Sequence, residues 1–514
     1  LTDIVLLFEV HQPYRLKKGF FWERNLFHRL RKEELFSYYF DDPKNREIFE
    51  RACRKCYFPS NEILLRLIDE SKSERKRVKV SFSISGVFLE QCEAYSPDLL
   101  ESFRQLGETG CVEFLCQTHY HSLAGLYPTK EEFTEQILKH RQALRDLLGA
   151  EPSTFENTEL LYNNAIAKVA NQLGFTAIFT EGVDRILKGR SPDYVYRARG
   201  CDKTKVLLRN YKLTDDIGFR FSLRSWNEWP LTADKYAAWL AATKGQCVSV
   251  FPDYETFGEH HWPETGIHDF LRHLPREILN WQHLQMSMPS EVVSKHKAVG
   301  EIDVPELSTV SWADLERDTS CWLGNTMQWA YYTETRELEP LVKESKDEDL
   351  LRIWRYLLTS DHLYYMFTAG GAPGEVHSYF SPYNSAADAF VTAQAVILDF
   401  ESRLRLNLIA ANEPFLFNKG PGEEGFIGVK AWGLVGMADA LRRVNVESLE
   451  FHNERGDFGN WASLSLRDEE LAKKLEEVRA SGAQGEELRQ GLYDAVSSRL
   501  AALKELVRAS TRSL

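Results

Sequence analysis

The chain has 514 residues, enough for two to four domains at roughly 150 residues each and for a large core that needs no covalent staples. Hydrophobic residues make up 43% and charged residues 27%, which excludes a mostly disordered chain. With 63 Lys plus Arg against 76 Asp plus Glu, the net charge is −13, and this argues against nucleic acid as a partner.

The opening LTDIVLLFEV carries no basic stretch and no small-residue cleavage site, so no secretory leader is expected. No window of about 18 apolar residues follows, so no membrane span is expected either. Short apolar runs rich in β-branched residues predict seven strands, at 3–10, 78–85, 112–116, 153–157, 176–180, 205–209 and 247–252. Helical patterns lie between most of them, at 61–72, 131–149 and 164–174, the last ending on Gly174. Strands alternating with helices predict an α/β fold with a parallel sheet. Seven such units fit an incomplete (β/α)7 barrel over residues 1–290, and the absence of a GxGxxG after the first strand speaks against an open doubly wound sheet. Residues 291–415 read as an α-helical domain. The Gly-rich stretch 416–427 reads as a linker, and 416–514 as a helical C-terminal extension with stretches near 432–443 and 468–508, broken by SGAQG.

Eight cysteines, at 53, 56, 92, 111, 116, 201, 247 and 321, are too sparse for a disulfide framework and suit a reducing cytoplasm. Cys53 and Cys56 form a lone CxxC without the second pair that zinc would need.

Parallel barrels build their sites at the carboxyl ends of the strands. Past strand one come Glu9, His11 and Gln12; past strand three, His119 and His121; past strand four, Glu159; past strand five, Glu181; past strand seven, Asp253 and Glu255. Two carboxylates on separate strands suit glycosidic bond cleavage, one attacking or activating water and the other donating a proton. Tyr14, Tyr120, Trp226, Trp229, Tyr254, Phe257 and Trp262 are candidates to face sugar or to fill core and rim. A rival reading is zinc held by His11, His119 and His121 with Glu9 or Asp253, as in a metal-dependent carbohydrate deacetylase. No H-x-x-x-H or H-x-x-E-H pattern and no paired Asp after strand one support it.

Over roughly residues 1–410 the sequence resembles glycoside hydrolase family 57. The resemblance rests on His11-Gln12-Pro13, GCVEFL, Thr158-Glu159 in NTELLYN, DYETFG at 253–258, and SDHLYYM. It implies Glu159 as nucleophile, Asp253 as general acid/base, and no metal or other cofactor. It also implies substrate-binding roles for Glu9, His11, Gln12, Glu113, His119, His121, Trp226, Glu255, Asp361, His362 and Tyr364. The FEVHQPYR and DYETFGEH spellings look like the α-amylase-type branch. Glucanotransferase members often have His where Glu9 stands and Trp where Tyr364 stands. The expected protein is a cytoplasmic retaining hydrolase of α-1,4-glucans. A 4-α-glucanotransferase or branching enzyme with the same catalytic pair is the alternative. A non-catalytic glycogen-binding protein is a third, disfavoured by the presence of both carboxylates.

Overall fold

Strand β1 (Thr2–Val10) is buried at every position but its first, as a strand covered on both faces must be. It is followed by β2 (Val80–Ile84), β3 (Val112–Leu115), β4 (Thr154–Phe155) and β5 (Ala177–Glu181). Then come β6 (Tyr196–Ala198), β7 (Lys205–Arg209), β8 (Cys247–Val250), β9 (Leu284–Met286) and β10 (Glu301–Ile302). The computed structural model in which these elements are seen describes residues 1–24, 30, 34–369 and 381–511.

All seven predicted strands form, and they pair in parallel. β1 pairs with β2 and β2 with β3, and the Cys116–Phe155 bridge carries the series to β4. β4 pairs with β5 and β5 with β7; Arg209 opposite Ser249 joins β7 to β8, and β8 pairs with β1. Each of the seven therefore has a parallel neighbour on both sides, an α/β arrangement of the (β/α)7 type. Three short strands were not legible in the sequence. β6 runs antiparallel to β7, β10 pairs with β6, and β9 pairs with the start of β1.

Helices cover the sheet. Phe58–Glu70, Glu131–Leu148 and Asn164–Gln172 realise the three predicted patterns, and Gly149 ends the second in the left-handed conformation (φ 63°) that a glycine adopts without steric cost. Ile4, Leu6, Phe8 and Val10 of β1 lie in one apolar cluster and Val5 and Leu7 in another, the two-sided burial expected when side chains alternate along a strand.

The chain divides into two compact units. The first comprises Leu1–Lys18, Ser37–Tyr332 and Arg355–Phe390; the second comprises Gly19–Phe36, Thr333–Trp354 and Val391–Leu514. Within the second unit the stretch 416–427, read as a linker, instead holds the end of β11 (Ala410–Asn418), a hairpin turn and the start of β12 (Phe426–Gly433). Phe415 lies opposite Ala431 and Leu416 opposite Lys430. Phe415 and Phe417 are buried with Phe458 and Trp461, so alternating apolar residues, masked by the glycines beside them, carried the strand signal. A Cβ on Gly425 would lie 2.3 Å from the Gly420 carbonyl oxygen, which explains the glycine in the turn. All eight cysteines are free and buried, and among the described residues no helix is long and apolar enough to cross a membrane.

Candidate active site

The carboxyl ends of β1, β3, β4 and β8 bring their acids and imidazoles together in the first unit. Directly after β4 the backbone turns sharply at Glu159 and Leu160, both left-handed, with φ of 60° and 52°. A non-glycine pair in this region stores strain and must be held by its surroundings. The Glu156 carboxylate accepts the Leu160 N–H at 3.3 Å, Asn157 donates its side-chain amide to the Leu161 carbonyl at 2.9 Å, and the Trp312 N–H reaches the Glu159 carbonyl at 3.2 Å. The turn aims the Glu159 carboxylate between two donors. The Ser360 hydroxyl donates to Oε1 at 2.8 Å, and the Trp312 indole N–H donates to Oε2 at 2.7 Å.

Asp253 lies just past β8, its backbone bridged to Glu9 of β1. Burial first, and then the charge of Glu159, push its carboxyl up to about 7, so it holds a proton where an ordinary aspartate does not. Glu255, two residues on, is pushed up to about 8 by burial and by Asp253, and it accepts the Tyr57 hydroxyl.

His11 and His121 stack face to face with ring centroids 3.8 Å apart. Ser85 caps the helix Gly86–Tyr95 by accepting the Phe88 N–H, so its hydroxyl proton is free for His11 Nδ1 at 2.7 Å. Nε2–H of His11 donates to Asp361 at 2.9 Å. Burial and the neighbouring His121 lower His11 to about 4. Burial alone would raise Asp361, but His11 and then His121 hold its carboxyl well below the usual range. His121 Nδ1 donates to Gln117 Oε1 at 2.8 Å, and its Nε2 lies 3.6 Å from Glu159 Oε1. Burial opposes a charge on His121, yet Glu159 and Asp361 outweigh it and raise its pKa. Because the two rings are stacked, their in-plane lone pairs do not converge on one point. Among the described residues no group of three His, Cys, Asp or Glu is placed to hold a metal ion.

Under this layer Gln117 donates to both Glu9 and Ser83 at 2.8 Å, and Ser83 donates to Glu156 at 2.8 Å. Burial and Glu156 raise Glu9 well above the ordinary range, and burial lifts Glu156 to about 7. Beside the Glu159 turn a second network is built from Arg209 and Arg317. Each donates to both Glu181 and Asp215, all four at 2.8 Å. Two arginines against two carboxylates leave this buried lattice neutral, as burial of charge requires.

The structure gathers Glu9, His11, His121, Glu159, Asp253 and Asp361, and the Tyr364 phenol is pushed up by burial first and then by Cys321, Glu159 and Asp253. Gln12 donates to the Tyr57 hydroxyl that serves Glu255, forming the adjoining wall. Four expected residues point elsewhere. Glu113 is only the second residue of β3, so it sits at the amino end of the sheet, bound to Thr154 and Ser290 at 2.5 and 2.7 Å. Trp226 packs on Trp239, with centroids 6.1 Å apart. His119 turns to Glu90 at 2.9 Å and lies so close to Gly86 that a Cβ there would sit 2.2 Å from its ring nitrogen. His362 is buried beside Tyr331, and burial lowers it to about 4. Sequence reasoning missed Glu156, Gln117, Trp312, Ser360 and the arginine pair. Ser360 adjoins the quoted Asp361, and Glu156 begins the run that contains Glu159, but nothing marked Trp312 or Arg317.

A parallel β/α fold carrying two carboxyl groups past separate strands, Glu159 held between two donors and Asp253 shifted up to about 7, is an arrangement that suits glycosidic bond cleavage. The profile of glycosyl hydrolase family 57 matches residues 5–305. A Methanocaldococcus jannaschii protein named "Putative alpha-amylase" is 45% identical over 418 residues, covering 80% of this chain and 86% of that protein. The chain belongs to glycosyl hydrolase family 57 and is a glycoside hydrolase by family. Solved structures share the fold. A branching enzyme of this family from Thermococcus kodakaraensis superposes with a TM-score of 0.55 at 16% identity, covering 79% of this chain and 90% of that one. A 4-α-glucanotransferase from Thermococcus litoralis gives 0.52 at 18% identity over 84% of this chain and 62% of that one.

Proposed function

We propose that the protein is a retaining hydrolase of α-1,4-glucans. The observation that carries this reading is the contrast between its two central carboxyl groups. Glu159 is held by two donors suited to a carboxylate, while Asp253 is kept protonated by burial and by Glu159 itself. Glu159 attacks the anomeric carbon as Asp253 protonates the departing glycosidic oxygen. The resulting Asp253 carboxylate then takes a proton from water, which attacks the same carbon and releases Glu159. His11 and Asp361, fixed to each other, present polar edges at the sugar being cleaved. The 45% identical relative bearing an amylase name favours hydrolysis over transfer.

Incubation with maltoheptaose tests the reading. Shorter sugars alone are expected; longer products would show transfer to a sugar acceptor, and no products would overturn the assignment. Glu159→Ala and Asp253→Ala should each remove nearly all turnover with the fold intact by circular dichroism.

A further inference from the structure

The two donors on Glu159 differ in freedom. Ser360 offers a hydroxyl that rotates about one bond. Trp312 offers a half-buried indole with less freedom: its ring lies 5.7 Å from that of Phe251 and 5.8 Å from the Arg209 guanidinium carbon, and its backbone carbonyl accepts Arg317 at 2.8 Å. Arg209 also donates to the Phe251 carbonyl at 2.8 Å, so the ring's two neighbours are themselves tied together. Arg317 stacks over Tyr211 at 4.2 Å and shares Glu181 and Asp215 with Arg209. Glu181 is fully buried and the Arg209 side chain is 6% exposed, so the lattice has little room to relax.

We infer that Trp312, locked by the Arg209–Arg317–Glu181–Asp215 lattice, is a positioning residue that speeds the second half of the reaction, release of the sugar from Glu159. The inference rests on the proposed reaction. Oε1, whose donor can swing aside, forms the bond to the anomeric carbon. Oε2 keeps the indole donor throughout and becomes the carbonyl oxygen of the glycosyl ester. In the second step water attacks the anomeric carbon, Asp253 takes its proton, the bond from that carbon to Oε1 breaks, and the electron pair returns to the Glu159 carboxylate. Negative charge grows on Glu159 in this step, so a fixed N–H on Oε2 stabilises its transition state. In the first step charge on Glu159 is lost, and the same donor gives no such help. Removing the donor therefore slows sugar release while sparing bond cleavage.

The test compares wild type, Trp312→Phe, Arg317→Lys and Glu159→Ala on an aryl α-malto-oligosaccharide with a good leaving group. Folding is checked by circular dichroism, and the steady-state enzyme is examined by intact mass spectrometry. For Trp312→Phe the expected result is a fall in kcat of about tenfold or more with KM falling in step, so that kcat/KM stays within about twofold. A glycosyl adduct should accumulate on the peptide containing Glu159. Arg317→Lys should show the same split to a smaller degree, and it decides the matter should Trp312→Phe not fold. Equal losses in kcat and kcat/KM with no adduct, or no change in either, would overturn the inference while leaving the proposed reaction standing. A wild-type protein no more active than Glu159→Ala would overturn both.

Discussion

In the proposed reaction Asp253 is an acid in the first half and a base in the second, and a carboxyl raised to about 7 suits both tasks. Since burial and Glu159 set its carboxyl near 7, kcat/KM should fall as pH rises through about 7, where the free enzyme loses the proton it must donate. A pH profile of kcat/KM checks this, and a limb that begins below pH 5 would contradict it. Asp361 works differently. It is ionised, it accepts the His11 proton, and it comes from a segment 350 positions away in the chain. Asp361→Ala should lower kcat by about 10²-fold, roughly 2.7 kcal/mol of transition-state stabilisation, with a smaller change in KM. Steady-state kinetics on maltoheptaose separate the two parameters, and an unchanged kcat would remove Asp361 from the mechanism.

The helix Ser360–Tyr364 and the loop carrying Trp312 and Arg317 complete a site that the strands only begin. A chain ending near residue 290 keeps every strand of the parallel series but loses Ser360, Asp361, Trp312 and Arg317. It also leaves Glu181 and Asp215 to share Arg209 alone. Such a truncation should be inactive even where soluble, and full activity from it would refute this division of labour. Arg209→Met in the full chain should cost about 3–5 kcal/mol, because two buried carboxylates then share one cation; urea unfolding measures it. These same elements mark the limit of what the sequence could tell. The strands were legible because each is a short apolar run between turn residues, and Glu159 and Asp253 were legible because they follow strands in recognisable runs. Trp312 and Ser360 were not, because each meets Glu159 across 153 and 201 residues of chain and neither local pattern nor spacing records such a pairing. Glu113 shows the converse failure: its spelling matched a motif, but its place as second residue of β3 puts it at the wrong end of the sheet. The β11–β12 hairpin was hidden because its turn glycines outweighed the alternation of Phe415 and Phe417.

At the scale of the whole molecule, the site stores carboxyl groups that fold in their neutral form, and stability should report it. Asp253 binds its proton near pH 7 when folded and near the ordinary 3.8 when unfolded. Between those values the folded state holds more protons, so this group's contribution is complete below about pH 4 and is lost as pH rises through 7. Asp253→Asn should therefore raise Tm relative to wild type at pH 8, with the advantage vanishing near pH 4; an advantage that grows toward acid would reverse the sign of the argument. The second unit rests on its own core, where Phe415 stacks on Phe458 with centroids 4.9 Å apart and the Trp461 indole donates to the Glu413 carbonyl at 2.9 Å. Trp461→Ala should cost about 3–5 kcal/mol there, read as faster hydrogen exchange across residues 410–503. In the proposed reaction Glu159 forms a bond to the sugar and Asp253 serves both halves of the exchange. The most direct measurement is the anomeric configuration of the first product released from maltoheptaose, followed by proton NMR before mutarotation. Two displacements at one carbon predict that the α-anomer appears first, whereas first appearance of the β-anomer would mean a single displacement by water and would contradict the account.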